Sequence, residues 1–133
     1  MLSWEYPPVI VGGIAPHVYD LTRALAADGV EVHLITAGGQ DAPSFEDVDG
    51  VKVYRVVPYQ VSSPDFVTWV AQFNVALLER AIPLLAEKSF QIVHAHDWLV
   101  AYAARAIKHA AHLPLVVTIH ATEYGRNNGL HND

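Results

Sequence analysis

The stretch Gly12-Gly13-Ile14-Ala15-Pro16-His17-Val18-Tyr19-Asp20-Leu21-Thr22-Arg23-Ala24-Leu25-Ala26-Ala27-Asp28-Gly29-Val30-Glu31-Val32-His33-Leu34-Ile35-Thr36 contains a change of hydrophobic period, and that change decides the fold class. Ile14, Val18, Leu21 and Leu25 recur at spacings of four, three and four, which is one face of a helix. Pro16 is tolerated in a first helical turn, and Gly29 after Asp28 suits a left-handed cap. Val30 to Thr36 is then rich in branched residues and reads as a strand.

Working outward, the same alternation continues. Residues 1–3 read as the end of a strand that runs into Trp4-Glu5-Tyr6-Pro7-Pro8, where two prolines forbid regular structure. Val9-Ile10-Val11 is apolar but short, and Ala37 to Gly50 reads as a loop. Val51 to Val57 is an alternating strand, and Pro58 to Ser63 a loop. Ser63-Pro64-Asp65 starts a helix that runs to about Lys88: a capping hydroxyl, a proline at the first position and an acid in the first turn. Phe90 to His94 is a short buried strand, and Asp97 caps a helix from Trp98 to about Ala111. Leu113 to Ile119 is a strand, and His120 to Asp133 a loop. Strands alternating with helices imply an α/β fold with a mostly parallel sheet, whose ligands bind beyond the carboxyl ends of the strands. Gly12-Gly13, His94 to Asp97 and His120 to Arg126 all fall at that edge, which locates a site.

Composition narrows the possibilities. The chain has 133 residues, 52% hydrophobic and 17% charged, which suits one compact domain and not a disordered chain. Eight Lys and Arg against fourteen Asp and Glu give a net charge of −6, which argues against a nucleic-acid binder. With no cysteine, disulfides, thiolate zinc sites and cysteine nucleophiles are excluded. No apolar run reaches the ~20 residues of a membrane span, and the N-terminus lacks the form of a signal peptide. The expected compartment is the cytoplasm.

Each motif carries a functional and a structural reading. Gly12-Gly13 ahead of a helix lets backbone amides approach an anion such as phosphate, although a flexible turn has the same sequence. It is neither a dinucleotide fingerprint nor a P-loop. His94-Ala95-His96-Asp97 with His120 invites a metal reading, but no acid-rich second cluster or His-Glu-x-x-His helix supports it. The structural alternative makes His94 a satisfied sheet histidine and Asp97 an N-cap, with Trp98 packed. Thr118 to Arg126 brings a His, an acid, a phenol and an Arg out of a buried strand, groups that suit sugar hydroxyls and phosphate, or an ordinary polar loop. His17 lies in the first turn after Gly12-Gly13, and Glu5 precedes that turn. His33, His109, His112 and His131 show no partner pattern.

Ser3-Trp4-Glu5-Tyr6-Pro7-Pro8 with Gly12-Gly13-Ile14, then Val32 to Thr36, then His94-Ala95-His96-Asp97-Trp98, then Thr118-Ile119-His120 resemble, in order and spacing, the N-terminal domain of a GT-B glycosyltransferase of the glycosyltransferase 4 and glycogen/starch synthase group. The resemblance implies a Rossmann-like parallel sheet with helices on both faces. It implies transfer of a sugar, glucose by expectation, from a nucleotide sugar such as ADP- or UDP-glucose to an acceptor such as a glucan, with retained configuration and no metal or other cofactor. By carry-over His120 and Asp97 are the catalytic candidates. Gly12 and Gly13 approach the donor diphosphate, His96 supports the Asp97 loop, and Glu5, His17, Tyr124 and Arg126 are substrate-side candidates. Residues 1–133 are then a partial acceptor-side domain, without the C-terminal nucleotide-binding domain. The family's Gly-Leu-Gly reads Gly13-Ile14-Ala15 here. Such a fragment is expected to be inactive alone and to self-associate through its incomplete sheet. The rival readings are a non-catalytic glucan or sugar-phosphate binding module, a structural domain with no ligand, and a different enzyme of the same architecture such as an epimerase.

Overall fold

The computed structural model describes residues 1–39, 41–58 and 63–122. Its elements follow the order α1 (Ile14–Ala27), β1 (His33–Ala37), β2 (Phe45–Val48), β3 (Val51–Val56), α2 (Phe66–Glu87), β4 (Val93–His96), a 3-10 turn (Trp98–Val100), α3 (Ala101–Ala111) and β5 (Leu115–Thr118). β1 pairs in parallel with β3, and β4 in parallel with β5. Residues 1–3 lie between these two pairs. Leu2 bridges both Ile35 and Ala95, its N–H donating to the His94 carbonyl (2.8 Å) and its carbonyl accepting from the His96 N–H (3.0 Å). The short N-terminal stretch is thus the central strand that joins the halves of the sheet.

Strand alternation sends side chains to two faces, and helices pack on both, although Val116 and Val117 of β5 stay exposed. Ile14 and Val18 of α1 pack with Leu34, Val51, Val53 and Tyr6 on one side. Phe73, Leu77 and Leu84 of α2 and Ala103 and Ile107 of α3 pack with Ile35, Tyr54, Val56 and Ala95 on the other. Each fully buried large apolar side chain contributes roughly 1.5–3 kcal/mol. Among the described residues no helix is long and apolar enough to cross a membrane.

Several boundaries move from those expected. The segment read as a loop from 37 to 50 contains β2, antiparallel to β3. The hairpin turns on Asp49 (φ 50°) and Gly50 (φ 89°), the two positive φ values that a type I′ turn requires. Asp47 steadies it by accepting from the Gly50 N–H at 2.7 Å. β4 begins at Val93 rather than Phe90 and includes His96. Asp65, expected inside the first turn of α2, is its N-cap and accepts from the Thr68 N–H at 2.7 Å. Asp97 precedes a 3-10 turn rather than the α-helix itself, which starts at Ala101. Gly29 does take the left-handed conformation after α1, with φ 90°.

Candidate functional site

The site is built on the loop from Trp4 to Gly13, and Glu5 holds that loop. Glu5 is 1% exposed. Its carboxylate accepts from the N–H groups of Val11 (2.6 Å), Gly12 (3.0 and 3.2 Å) and Ala15 (2.8 Å). Gly13 is the N-cap of α1 and makes no side-chain cap, so this distant carboxylate does the capping. Among the described residues none accepts from the N–H of Gly13 or Ile14. Glu5 also places a negative charge beneath the helix N-terminus, where it offsets part of the attraction that terminus offers an anion. Phosphate held here would therefore need cations opposite it as well as the helix end. A Cβ added at Gly12 or Gly13 would meet nothing within 4 Å, so the fold itself does not require either glycine. What the pair provides is open space beside the backbone.

Asp97 closes the second side. Its backbone has φ 63° and ψ −178°, a region that glycine alone adopts without strain. Its N–H donates to the Thr118 carbonyl (2.8 Å), which ties the end of β4 to the end of β5, and its carboxylate accepts from the Trp98 N–H (2.9 Å). Asn74 of α2 fixes the turn that follows. Its side-chain NH2 donates to the carbonyls of Val70 and Leu99 (2.8 Å each), and its Oδ1 accepts from the Ala103 N–H (2.9 Å). Sequence reasoning passed over Asn74, although an amide between Phe73 and Leu77 on the apolar face of α2 was a visible irregularity. Trp98, expected to be packed, is 43% exposed and stands edge-on to Phe66.

The third side is histidine. His94 and His96 point to one face of β4 with rings stacked 4.3 Å apart. His94 Nε2 lies 2.7 Å from Thr118 Oγ1, and His96 Nδ1 lies 3.0 Å from His120 Nε2. His17, from the first turn of α1, packs edge-on against His120 at 4.9 Å and against His96 at 5.7 Å. Burial pushes the His96 imidazole down to about 3, with repulsion from His94, His120 and His17 adding to it. Burial likewise lowers His94 and His120. For His120 the pull of Asp97 and Glu5 works the other way without cancelling the shift. At neutral pH these three rings are uncharged.

The three segments meet. Glu5, Gly12, Gly13, Ile14, Asp97 and His120 line a cleft of about 340 Å³ at the carboxyl edge of the sheet. Of the residues singled out from sequence, His17 stands exposed beside His120, and His96 lies fully buried beneath it. Tyr124 and Arg126 fall outside the described residues. His33 is remote from the cleft: it is buried between Tyr54 and Phe90 and lies 2.8 Å from Glu31 Oε1.

Comparison with known proteins places this arrangement. The model of the family described as Glycosyltransferase Family 4 matches residues 11–133. An uncharacterized glycosyltransferase of Methanocaldococcus jannaschii is 42% identical over 133 residues, which are all of this chain and 33% of that protein. A glycogen synthase of Mycobacterium tuberculosis is 38% identical over 143 residues, covering 97% of this chain and 34% of the relative. A solved sucrose-phosphate synthase from Thermosynechococcus elongatus superposes with a TM-score of 0.75 at 18% identity, over 90% of this chain and 32% of that one, and shares the fold. The chain spans about a third of the length of the curated relatives it matches.

Proposed function

Because the chain belongs to glycosyltransferase family 4, we propose that it is part of the acceptor-side domain of a retaining hexosyltransferase, an enzyme that moves glucose from a nucleotide sugar to a glucan-like acceptor. The observation that carries this reading is the convergence of Gly12-Gly13, Asp97 and His120 on one cleft, with unfilled space beside both glycines. Open backbone lets a diphosphate come close, while buried hydrogen-bonding groups fix the orientation of a sugar.

The electrostatics suit the chemistry. Departure of a nucleoside diphosphate leaves positive charge on the sugar ring. An imidazolium beside that centre would oppose it, whereas the lowered His120 imidazole is neutral and offers a hydrogen bond without a charge. The Asp97 carboxylate at the same cleft favours the developing cation. Glu5 acts as a positioning residue for the glycine loop. The cations needed opposite the leaving diphosphate belong, on the family pattern, to a second domain, so residues 1–133 alone are a half-site.

The test is nucleoside diphosphate release by chain 1–133 given ADP-glucose or UDP-glucose, with and without glycogen. The expected result is no acceptor-dependent release. Acceptor-dependent release, abolished by His120→Ala, would overturn the half-site reading and make the chain an enzyme by itself.

A further inference from the structure

We propose that His17, His96 and His120 form a binding site for a divalent transition-metal ion, zinc being the simplest case. The sequence pairs His94 and His96 with His120 as the candidate imidazoles. The structure changes the set. His94 is engaged with Thr118 Oγ1, and His17 arrives from α1 in its place.

One ring nitrogen from each of His17, His96 and His120 lies within 4.8 Å of the other two. Zinc–imidazole bonds of about 2.0–2.1 Å in tetrahedral geometry put neighbouring ligand nitrogens about 3.3 Å apart. His96 Nδ1 and His120 Nε2, at 3.0 Å, are already near that spacing. Two lone pairs cannot face each other at this distance, so either a proton or a cation lies between them. His17 is exposed and sits on the first turn of a helix, so its side chain has room to swing the remaining distance.

The ligands also come from rigid places. His96 ends a buried strand and is fully buried, and α1 is anchored through Glu5. Asp97 and Glu5 act electrostatically on His120 and would stabilise added positive charge. Three imidazole ligands suit zinc, copper, nickel or iron rather than magnesium or calcium. The site does not depend on the transferase reading, but the two share His120, so bound metal and bound sugar would compete for that ring.

The experiment is titration of chelator-treated chain 1–133 with zinc by calorimetry, and with cobalt(II) by visible absorption, where intense bands report four-coordination. One equivalent is expected to bind, and His17→Ala, at an exposed position, is expected to weaken binding at least about tenfold. The exposed pair His109 and His112 at the end of α3 is the control, and His109→Ala with His112→Ala should leave binding unchanged. Absence of saturable binding, or binding that His17→Ala leaves unchanged, overturns the site.

Discussion

Replacing Glu5 with alanine is expected to destabilise the fold by about 3–5 kcal/mol. The carboxylate serves three backbone N–H groups inside the protein, and alanine leaves all three without an acceptor. Hydrogen bonds to a charged group contribute roughly 1.5–3 kcal/mol each, and water entering the space recovers part of that. Against a total stability of roughly 5–15 kcal/mol for a domain, the loss is large. Glu5→Gln is expected to recover part of the loss, because one amide oxygen in the place of Oε2 still accepts from Val11 and Gly12, whereas the amide NH2 cannot accept from Ala15. Chemical denaturation of the variants checks this, and a loss below about 1 kcal/mol would contradict the capping role. The consequence for function follows through the loop. Without Glu5 the carboxylate that ties Val11 and Gly12 to the start of α1 is gone, so the open backbone at Gly12-Gly13 is expected to lose its shape even where the rest of the fold survives.

Acidification is the second large effect. The His96 imidazole is held at about 3 in the folded chain against an ordinary value of 6.5. Between those values the unfolded chain binds a proton that the folded chain refuses. Stability is therefore complete above about pH 6.5 and is lost as pH falls toward 3, at about 1.4 kcal/mol per pH unit for one such ring. From pH 7.5 to pH 5 the expected loss is about 2 kcal/mol from His96 alone, with His94 and His120 adding in the same direction. Denaturation midpoints measured with chelator present, across this range, should show the slope, and His96→Gln should flatten it by about one proton. A slope that His96→Gln leaves unchanged would place the acid sensitivity elsewhere.

The fold was legible where periodicity and punctuation agreed. The spacing of Ile14, Val18, Leu21 and Leu25 with Gly29 beyond them defined α1, because an apolar stripe and a left-handed glycine are both local signals. β2 escaped notice because Phe45-Glu46-Asp47-Val48 carries two adjacent acids, which strands disfavour, although Asp49-Gly50 is the strongest short hairpin signal in the chain. The Asp97 turn was placed correctly but named wrongly, since a 3-10 turn differs from an α-helix start by one hydrogen bond and not by composition.

The site was legible as three segments at one sheet edge, because parallel topology alone carries strand ends there. What the sequence could not show was which side chains are already engaged. Glu5 looks like a free carboxylate beside a cleft, yet its oxygens are held by the loop. His94 looks equivalent to His96, yet only His96 reaches His120. Such choices depend on distances of a few tenths of an ångström between segments far apart in the chain.

The most direct test of the account is a titration of isotope-labelled chain 1–133 with ADP-glucose, UDP-glucose and a maltooligosaccharide, followed by amide chemical shifts with chelator present. Saturable binding in the ~mM range is expected for a half-site, with shifts gathered at Gly12, Gly13, Asp97, Trp98 and Ala121, and with Gly13→Ala weakening it while leaving stability within about 1 kcal/mol of the parent. Shifts that are absent, or that gather on the exposed end of α3 instead, would contradict a sugar site at this cleft.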